Sequence, residues 1–317
     1  MMLSLSKMLF GGRRHSAAER LLNTKLIACD LDGTLLNRDE IIGTATVLLI
    51  RKIESLGIPF ILITRRHHQA VEPYAEQLRM SQPIISLDGG ITRLLHSEST
   101  LATIEFDQEF ALDIIDEVIQ TTGAECSVIT PDRFLFSRPD ILLPSYYLHW
   151  NIETEVAADF DNVKGSILEI VVAGGYYPIN TILNYVESKM GEGELKLRMY
   201  ESHTHSDLWY LEVRSAQATK QIALERLLPR YGATMDQVIG IGDHYNDLEF
   251  CERSGYVVAV KNAVRELREM ADFITSHASD DEGVNEFLEY FLKAHGVDPR
   301  EAPEPQREPE GRRKRSR

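Results

Sequence analysis

The 317-residue chain has few cysteines and no long uninterrupted apolar run. Its three cysteines, Cys29, Cys126 and Cys251, are odd in number and far apart, which excludes a disulfide framework and the paired spacing of a zinc site. No apolar stretch approaches the ~20 residues that a membrane-spanning helix needs. These absences predict a cytoplasmic protein that works in a reducing compartment and does not contact a membrane. A targeting signal in the opening MMLSLSKMLFGG is the less favoured interpretation.

Positive charge is also scarce, because the formal net charge is −15. The first 20 residues and the last 19 residues are nevertheless basic, each with an excess of three Lys and Arg over Asp and Glu, so the body between them carries −15 − 6 = −21. This balance argues against a nucleic-acid-binding core. A phosphate group could bind to such a body only with the help of a cation.

The order of apolar and amphipathic segments predicts an α/β protein. Short buried runs such as KLIACDL, IPFILIT and QVIGIGD alternate with helical patterns, which is typical of a doubly wound, Rossmann-like parallel sheet. In the middle of the chain, segments that alternate between apolar and polar residues occur together with helical patterns. This change predicts an inserted α+β cap domain above the carboxyl edge of that sheet, where ligands bind in such folds. The predicted parts are an N-terminal extension at 1–22, a catalytic core at 23–90 and 208–296, a cap at 91–207, and a disordered charged tail at 297–317.

Two of the predicted strands end in acidic residues. Asp30 and Asp32 follow LIAC, and Asp243 and Asp247 follow VIGIG. Clustered carboxylates raise one another's pKa and cost stability unless a cation lies between them. Because oxygen ligands suit Mg²⁺, which keeps some of its waters for a phosphate, these four aspartates predict a magnesium site.

Three further residues on elements leading to the same edge are candidates for binding a phosphoryl group. Thr64 ends the second strand, Lys220 begins a helix, and Gly33 permits a tight turn that directs backbone amides to a ligand. The alternatives are that Thr64 caps the following helix and that Lys220 is an ordinary solvated lysine.

These motifs resemble the haloacid dehalogenase superfamily, and its Cof-type phosphatase branch in particular. DLDGTLL, the Thr64 strand end, Lys220 and GDHYND occur in the order and relative spacing of that family, and the resemblance covers nearly all of residues 25–292. It implies that Thr64 and Lys220 hold the phosphoryl group and that Asn246 contacts the phosphate or the nucleophile. The insertion resembles the α/β cap of that branch.

The resemblance also implies roles for the four aspartates. Asp30 would be the nucleophile that forms an aspartyl-phosphate, and Asp32 would be the general acid and base. Asp243 would bind Mg²⁺ together with Asp30 and the backbone carbonyl of Asp32, and Asp247 would support the metal ligands.

Two positions depart from the pattern of the branch. Arg65 stands where that branch usually has glycine, and Asp88 stands where it commonly has asparagine. We expect Arg65 either to bind an anionic substrate or to crowd the phosphate. The basic run 65–68 has a second interpretation, as the solvated start of a helix.

The sequence thus predicts a Mg²⁺-dependent phosphatase, as a monomer or homodimer, that hydrolyses a small phosphorylated metabolite. A sugar phosphate, a nucleotide-pathway intermediate and pyridoxal phosphate are the candidate substrates. Two alternatives are a phosphomutase on the same scaffold and a non-catalytic stress or regulatory protein that binds a metabolite.

Overall fold

The computed structural model describes residues 16–95, 100–105, 107–138, 152–157, 160, 163, 166–202 and 204–301. The strands in these ranges are β1 Leu26–Cys29, β2 Phe60–Leu62, β3 Ile84–Ser86, β4 Ile91–Arg93, β5 Thr100–Thr103, β6 Glu125–Ile129, β7 Phe134–Phe136, β8 Thr154–Val156, β9 Glu169–Gly174, β10 Leu195–Glu201, β11 Trp209–Ser215, β12 Val238–Gly242, β13 Tyr256–Ala259 and β14 Phe273–Ile274. The helices are α1 Ala17–Leu22, α2 Thr44–Ser55, α3 His68–Leu78, α4 Gln108–Glu117, α5 Tyr176–Lys189, α6 Lys220–Leu227, α7 Leu248–Arg253, α8 Arg265–Met270 and α9 Val284–Ala294.

A parallel sheet of five strands in the order β14-β13-β12-β1-β2 forms the centre of the core. A single parallel bridge between Ile63 and Ile85 continues it to β3. Residues Leu26–Cys29 are buried on both faces, which explains why this strand is a continuous apolar run without alternation. The predicted doubly wound α/β core is therefore confirmed.

Helices cover both faces of this parallel sheet. Apolar residues of α2, α3 and α9 pack with Ile27 and Cys29 on one face. Apolar residues of α6, α7 and α8 pack with Leu26 and Ala28 on the other. Because neighbouring residues of a strand point to opposite faces, each residue of β1 belongs to one of these two clusters.

A second sheet, here called the cap sheet, has six strands in the order β10-β11-β9-β6-β7-β8. Helices α4 and α5 pack on one of its faces. On the opposite face, Val171 and Tyr210 of the cap sheet lie in one apolar cluster with two residues of the core side. These are Leu87, directly after β3, and Ile91, the first residue of β4. The inserted α+β unit thus packs against the core.

Strand pairing suggests how the chain divides between core and cap near the predicted boundaries. Strand β4 pairs antiparallel with β3, and β5 pairs antiparallel with β4, so residues after 91 at first continue from the edge of the core. Strand β11 pairs with β9 and β10, although the predicted core resumes at residue 208. The pairing partners of a strand cannot be seen in its own apolar pattern, and the boundaries at residues 91 and 208 stay predictions. We propose that the cap ends after Ser215.

Both terminal segments make contacts with the core where they are described. Leu21 of α1 is buried in the core, and Arg20 donates two hydrogen bonds to Asp272, at 2.8 and 2.9 Å. Val297 packs partly buried against the same cluster. Most of the tail predicted to be disordered, 302–317, lies outside the described residues. None of the helices in the described ranges has the length and apolarity to cross a membrane.

Candidate active site

The two acidic strand ends meet because β1 and β12 are adjacent and parallel. Asp30 directly follows β1, Asp243 directly follows β12, and the Asp30 amide donates a hydrogen bond of 2.9 Å to the Ile241 carbonyl. Both side chains are buried, with 5% and 9% of their surface exposed. The carboxyl edge of the core therefore gathers carboxylates away from water.

Lys220 supplies a cation to this group. Its ammonium donates one hydrogen bond to Asp30 Oδ1 and another, of 2.7 Å, to Asp247 Oδ1. Lys220 is 2% exposed, so its interpretation as a solvated surface lysine is wrong. Burial alone would lower the pKa of this ammonium, but the carboxylates of Asp247 and Asp30 reverse the effect and raise its pKa above the usual value. The lysine is thus held in its charged form.

Asp243 is held by the turn that follows β1. Thr34 donates a hydrogen bond of 2.9 Å to Asp243 Oδ1. Gly33 has a φ of +73°, and a Cβ at this position would collide with the Asp243 carboxylate. Burial, with the charge of Asp247 next in size, raises the pKa of Asp243 to about 7. The predicted need for glycine in this turn follows both from its backbone angle and from this close approach.

Asp247 organises the loop after β12. Its Oδ2 accepts hydrogen bonds from the Asp243 and His244 amides, both of 3.0 Å. Oxygens of Asp30, Asp243 and Asp247 all lie within 4.8 Å of one another, as a shared metal ion would require. Burial raises the pKa of Asp30 well above its ordinary value, and the Lys220 ammonium acts in the opposite direction.

Asp32 has a different environment from Asp30. Its side chain is 48% exposed, and the Arg66 guanidinium contacts both of its oxygens at 2.6 to 3.0 Å. Arg66 also lies 3.1 Å from Glu40. Arg66 is not among the site residues predicted from the sequence, because nothing in the run 65–68 distinguishes one arginine from the other. Asp32 is thus the carboxylate that an incoming ligand can reach from solvent.

Thr64 is fully buried beside this arginine. Its hydroxyl accepts a hydrogen bond of 3.1 Å from the Arg66 amide, while α3 begins only at His68 with His67 as its N-cap. Thr64 is therefore not the helix cap. The interpretation of residues 65–68 as a solvated helix start is also wrong, because Arg66, His67 and His68 are at most 4% exposed. Burial lowers the pKa of both histidines to about 4.

Asn246 lies in a second polar group next to the carboxylates. This group includes Arg65 and Asp88, the two positions that depart from the pattern of the Cof-type branch. Asn246 donates a hydrogen bond of 2.9 Å to Asp88, which also accepts one of 2.9 Å from Arg214. Arg65 lies against Glu169 and Glu212 of the cap sheet, at 2.5 and 3.3 Å. The two arginines lower the pKa of the Asp88 carboxyl below its usual range, although its burial acts in the opposite direction. Arg214, Glu169 and Glu212 could not be predicted from the sequence, since their partners Asp88 and Arg65 lie more than 100 residues away.

A doubly wound core with an inserted cap, and with aspartates around a buried lysine at its carboxyl edge, defines a capped hydrolase with a Rossmann-like core. The chain belongs to the haloacid dehalogenase-like hydrolase family, whose model matches residues 27–288. The resemblance seen in the motifs is thus confirmed.

Curated proteins and solved structures from several bacteria are similar to the chain over most of its length. It is 22% identical to 5-amino-6-(5-phospho-D-ribitylamino)uracil phosphatase YitU of Bacillus subtilis, over 84% of this chain and 97% of that one. It is also 22% identical to pyridoxal phosphate phosphatase YbhA of Escherichia coli, over 82% and 96%. A crystal structure of a haloacid dehalogenase-like hydrolase from Bacteroides thetaiotaomicron has a TM-score of 0.73 at 24% identity, over 84% and 99% of the two chains.

Proposed function

We propose that the chain is a phosphatase that hydrolyses small phosphorylated metabolites through an aspartyl-phosphate on Asp30. Its family and its two phosphatase relatives support a phosphoric monoester hydrolase. The observation that carries the proposal is the pairing of buried Lys220 with Asp30 and Asp247 at the carboxyl edge of the core. In this position a carboxylate can be held for attack on the phosphorus of an ester.

Asp30 and Asp32 divide the reaction between them. An Asp30 oxygen attacks phosphorus, the bond from phosphorus to the leaving oxygen breaks, and Asp32 gives its proton to that oxygen. In the second step Asp32 takes a proton from water, which attacks phosphorus and releases phosphate from Asp30. The exposure of Asp32 supports this role, because the acid must reach the leaving oxygen and then water. Arg66 pairs with the ionised Asp32 carboxylate, the form that takes a proton from water in the second step.

The residues present fit a magnesium ion. Asp30, Asp243 and Asp247 offer oxygen ligands, which Mg²⁺ prefers, and they are buried with more negative charge than Lys220 alone can offset. We propose that these carboxylates hold Mg²⁺, with Asp32 contributing to the same site. When bound, the ion supplies positive charge that reduces the repulsion between Asp30 and the phosphate dianion.

Four other residues are proposed to hold the phosphoryl group. Thr64 offers a hydroxyl and Lys220 an ammonium at the edge where Asp30 lies. Gly33 brings its turn close to Asp243. Asn246 directly precedes Asp247, which pairs with Lys220, and offers a side-chain amide. Oriented donors of this kind stabilise the charge that develops on phosphoryl oxygens in the transition state.

We propose a small metabolite as the substrate, because the cap sheet packs against the core beside the site. The relatives named above act on a phosphorylated ribitylaminouracil and on pyridoxal phosphate, and we extend that class of substrate to this chain. We also propose a cytoplasmic monomer or homodimer. Three free, buried cysteines support a reducing compartment.

Release of inorganic phosphate from a panel of small phosphate monoesters tests the proposal. We expect turnover with Mg²⁺, no turnover with EDTA, and none after Asp30→Asn. Asp39→Asn is the matched control, since Asp39 lies in the same segment but is exposed, and it should keep its activity. Turnover that needs a sugar bisphosphate would favour the phosphomutase. Metal and phosphate binding without turnover of any ester would favour a metabolite-binding protein.

A further inference from the structure

Arg65 connects the core to the cap sheet through buried ions. It follows Thr64 in the loop after β2, and its guanidinium donates to both oxygens of Glu169 on β9, at 2.8 and 2.5 Å, and to Glu212 on β11 at 3.3 Å. The side chains of Glu169 and Glu212 are 1% and 5% exposed. Arg65 therefore spans the boundary between the core and the cap sheet. A glycine at this position would make no such contact.

Asp88 makes the reverse connection. Its carboxylate belongs to the core side, and it accepts a hydrogen bond from Arg214 of β11 at 2.9 Å and lies 3.7 Å from Arg65 Nε. The backbone of Asp88 is left-handed, with a φ of 51°, and its amide donates to the Thr64 carbonyl at 2.9 Å. We call Arg65, Asp88, Glu169, Glu212 and Arg214 the bridging ion cluster.

The bridging ion cluster touches the proposed catalytic residues without belonging to them. Asp88 accepts a hydrogen bond from Asn246, and its other oxygen faces the arginines. Arg65 itself lies in the chain between Thr64 and Arg66, which hold the phosphoryl and Asp32 sides of the site. A shift of the cap sheet would therefore displace the loop that carries Thr64, Arg65 and Arg66.

The energetics of buried ions favour one closed position of the cap. Opening the cap into water costs little electrostatically, because each ion recovers its hydration while it loses its partner. A shifted closed arrangement is different, since it would take the Arg65 fork away from Glu169 and Glu212 while both stay buried, and a buried charge that loses a charged partner is strongly unfavourable. Glu212 would keep its hydrogen bond from the Tyr200 hydroxyl. Arginine suits this role because its planar fork pairs with carboxylates in a fixed geometry.

We propose that Arg65 is a positioning residue that allows the cap sheet to close over the core in one position only, and that it does not bind the substrate. The effect of Arg65 on the rate of catalysis rests on the proposed phosphatase function. Its effect on the position of the cap sheet does not. Removal of the guanidinium should favour the open arrangement, and neutralising its two carboxylate partners should restore closure.

Distances between spin labels on the cap and on the core test this directly. Lys189 at the end of α5 and Arg253 at the end of α7 are 52% and 58% exposed and can be replaced by labelled cysteines, because Cys29, Cys126 and Cys251 are buried. We expect one narrow distance distribution in the native chain. Arg65→Met should move the ratio of closed to open molecules by about tenfold or more towards longer distances.

The variant Arg65→Met/Glu169→Gln/Glu212→Gln should return the distribution to the native one. Arg65→Lys keeps a cation beside the carboxylates and should stay mostly closed, which provides a second test if the methionine variant does not fold. Arg133→Met is the matched control, because Arg133 pairs with Glu155 at the exposed surface. A native distribution in Arg65→Met, or a triple variant that remains open, would overturn the proposal.

Activity gives an independent measure. For any monoester that the native chain hydrolyses, kcat/KM should fall by about tenfold or more in Arg65→Met and recover to within about threefold in the triple variant. An Arg65 that binds substrate predicts equal losses in both variants, and that result would also overturn the proposal. If the native chain hydrolyses no monoester, the proposed function fails, while the spin-label distances still decide the role of Arg65.

Discussion

Replacing Lys220 by methionine tests the electrostatics of the site most severely. The ammonium is 2% exposed and is shared by Asp30 and Asp247, which are 5% and 0% exposed. Methionine has a similar length but no charge, so both carboxylates would face each other without a cation. Removal of one partner from a buried ion pair costs about 3 to 5 kcal/mol. This is a large fraction of the roughly 5 to 15 kcal/mol by which folded proteins are stable.

Urea unfolding followed by circular dichroism measures this loss. In EDTA we expect the free energy of unfolding of Lys220→Met to fall by about 3 kcal/mol or more. Saturating Mg²⁺ should stabilise this variant more than the native chain, by at least about 1 kcal/mol, because the ion then provides the missing positive charge.

The matched control is Lys293→Met. Lys293 pairs with Glu289 at 3.3 Å, but its side chain is 62% exposed. A surface pair of this kind contributes less than about 1 kcal/mol. If Lys220→Met in EDTA were no less stable than Lys293→Met, the description of the site as a carboxylate cluster that depends on Lys220 would be refuted.

Three further predictions concern residues around the carboxylates. Gly33→Ala should cost about 1 to 3 kcal/mol in urea unfolding and reduce kcat at least about tenfold, because of its positive φ and its collision with Asp243. Arg66→Lys should lower kcat by about 10- to 100-fold with less effect on KM, since lysine cannot hold both Asp32 oxygens. His67 has a pKa of about 4, below its unfolded value, so its contribution to the free energy of unfolding is present above about pH 6.5 and is lost as pH falls towards 4. Between pH 7 and 5 this loss should be about 2 kcal/mol in urea unfolding, and His67→Gln should remove it.

Each of these changes has a matched control in the described part of the chain. Gly57 has a φ of +79° with open space around it, so Gly57→Ala measures the backbone strain alone. Arg38 makes a comparable two-nitrogen contact with Asp280 at the exposed surface, so Arg38→Lys should leave kcat unchanged. His205→Gln changes an exposed histidine. Equal effects of a site change and its control would contradict the corresponding prediction.

The carboxyl-edge site could be predicted because its geometry follows from chain order. Parallel strands bring their carboxyl ends to one edge, so the acidic residues after LIAC and VIGIG lie at the same edge once both runs are strands of one parallel sheet. They meet because β1 and β12 are neighbours in that sheet. Lys220 could be placed from the motif spacing, but its burial could not. That burial depends on Asp30 and Asp247, which lie 190 and 27 residues away.

The connections between the sheets could not be predicted, because they depend on partners far along the chain. Arg65 and Arg66 are adjacent and chemically identical, yet Arg65 contacts the cap sheet and Arg66 contacts Asp32. Strand β11 has an ordinary apolar pattern, and only its pairing with β9 and β10 assigns it to the cap sheet. Sequence periodicity indicates whether a segment is a helix or a strand, but it does not identify the segments that pack beside it.

Detection of the phosphorylated residue is the most direct test of the central claim that Asp30 is the nucleophile. The native chain would be mixed with a hydrolysed monoester and Mg²⁺, quenched in acid during turnover, and reduced with borohydride, which converts an aspartyl-phosphate to homoserine. We predict homoserine at position 30 by mass spectrometry, and none there in a sample without substrate. Sustained turnover with an unmodified Asp30, or with the modification at another residue, would contradict the account.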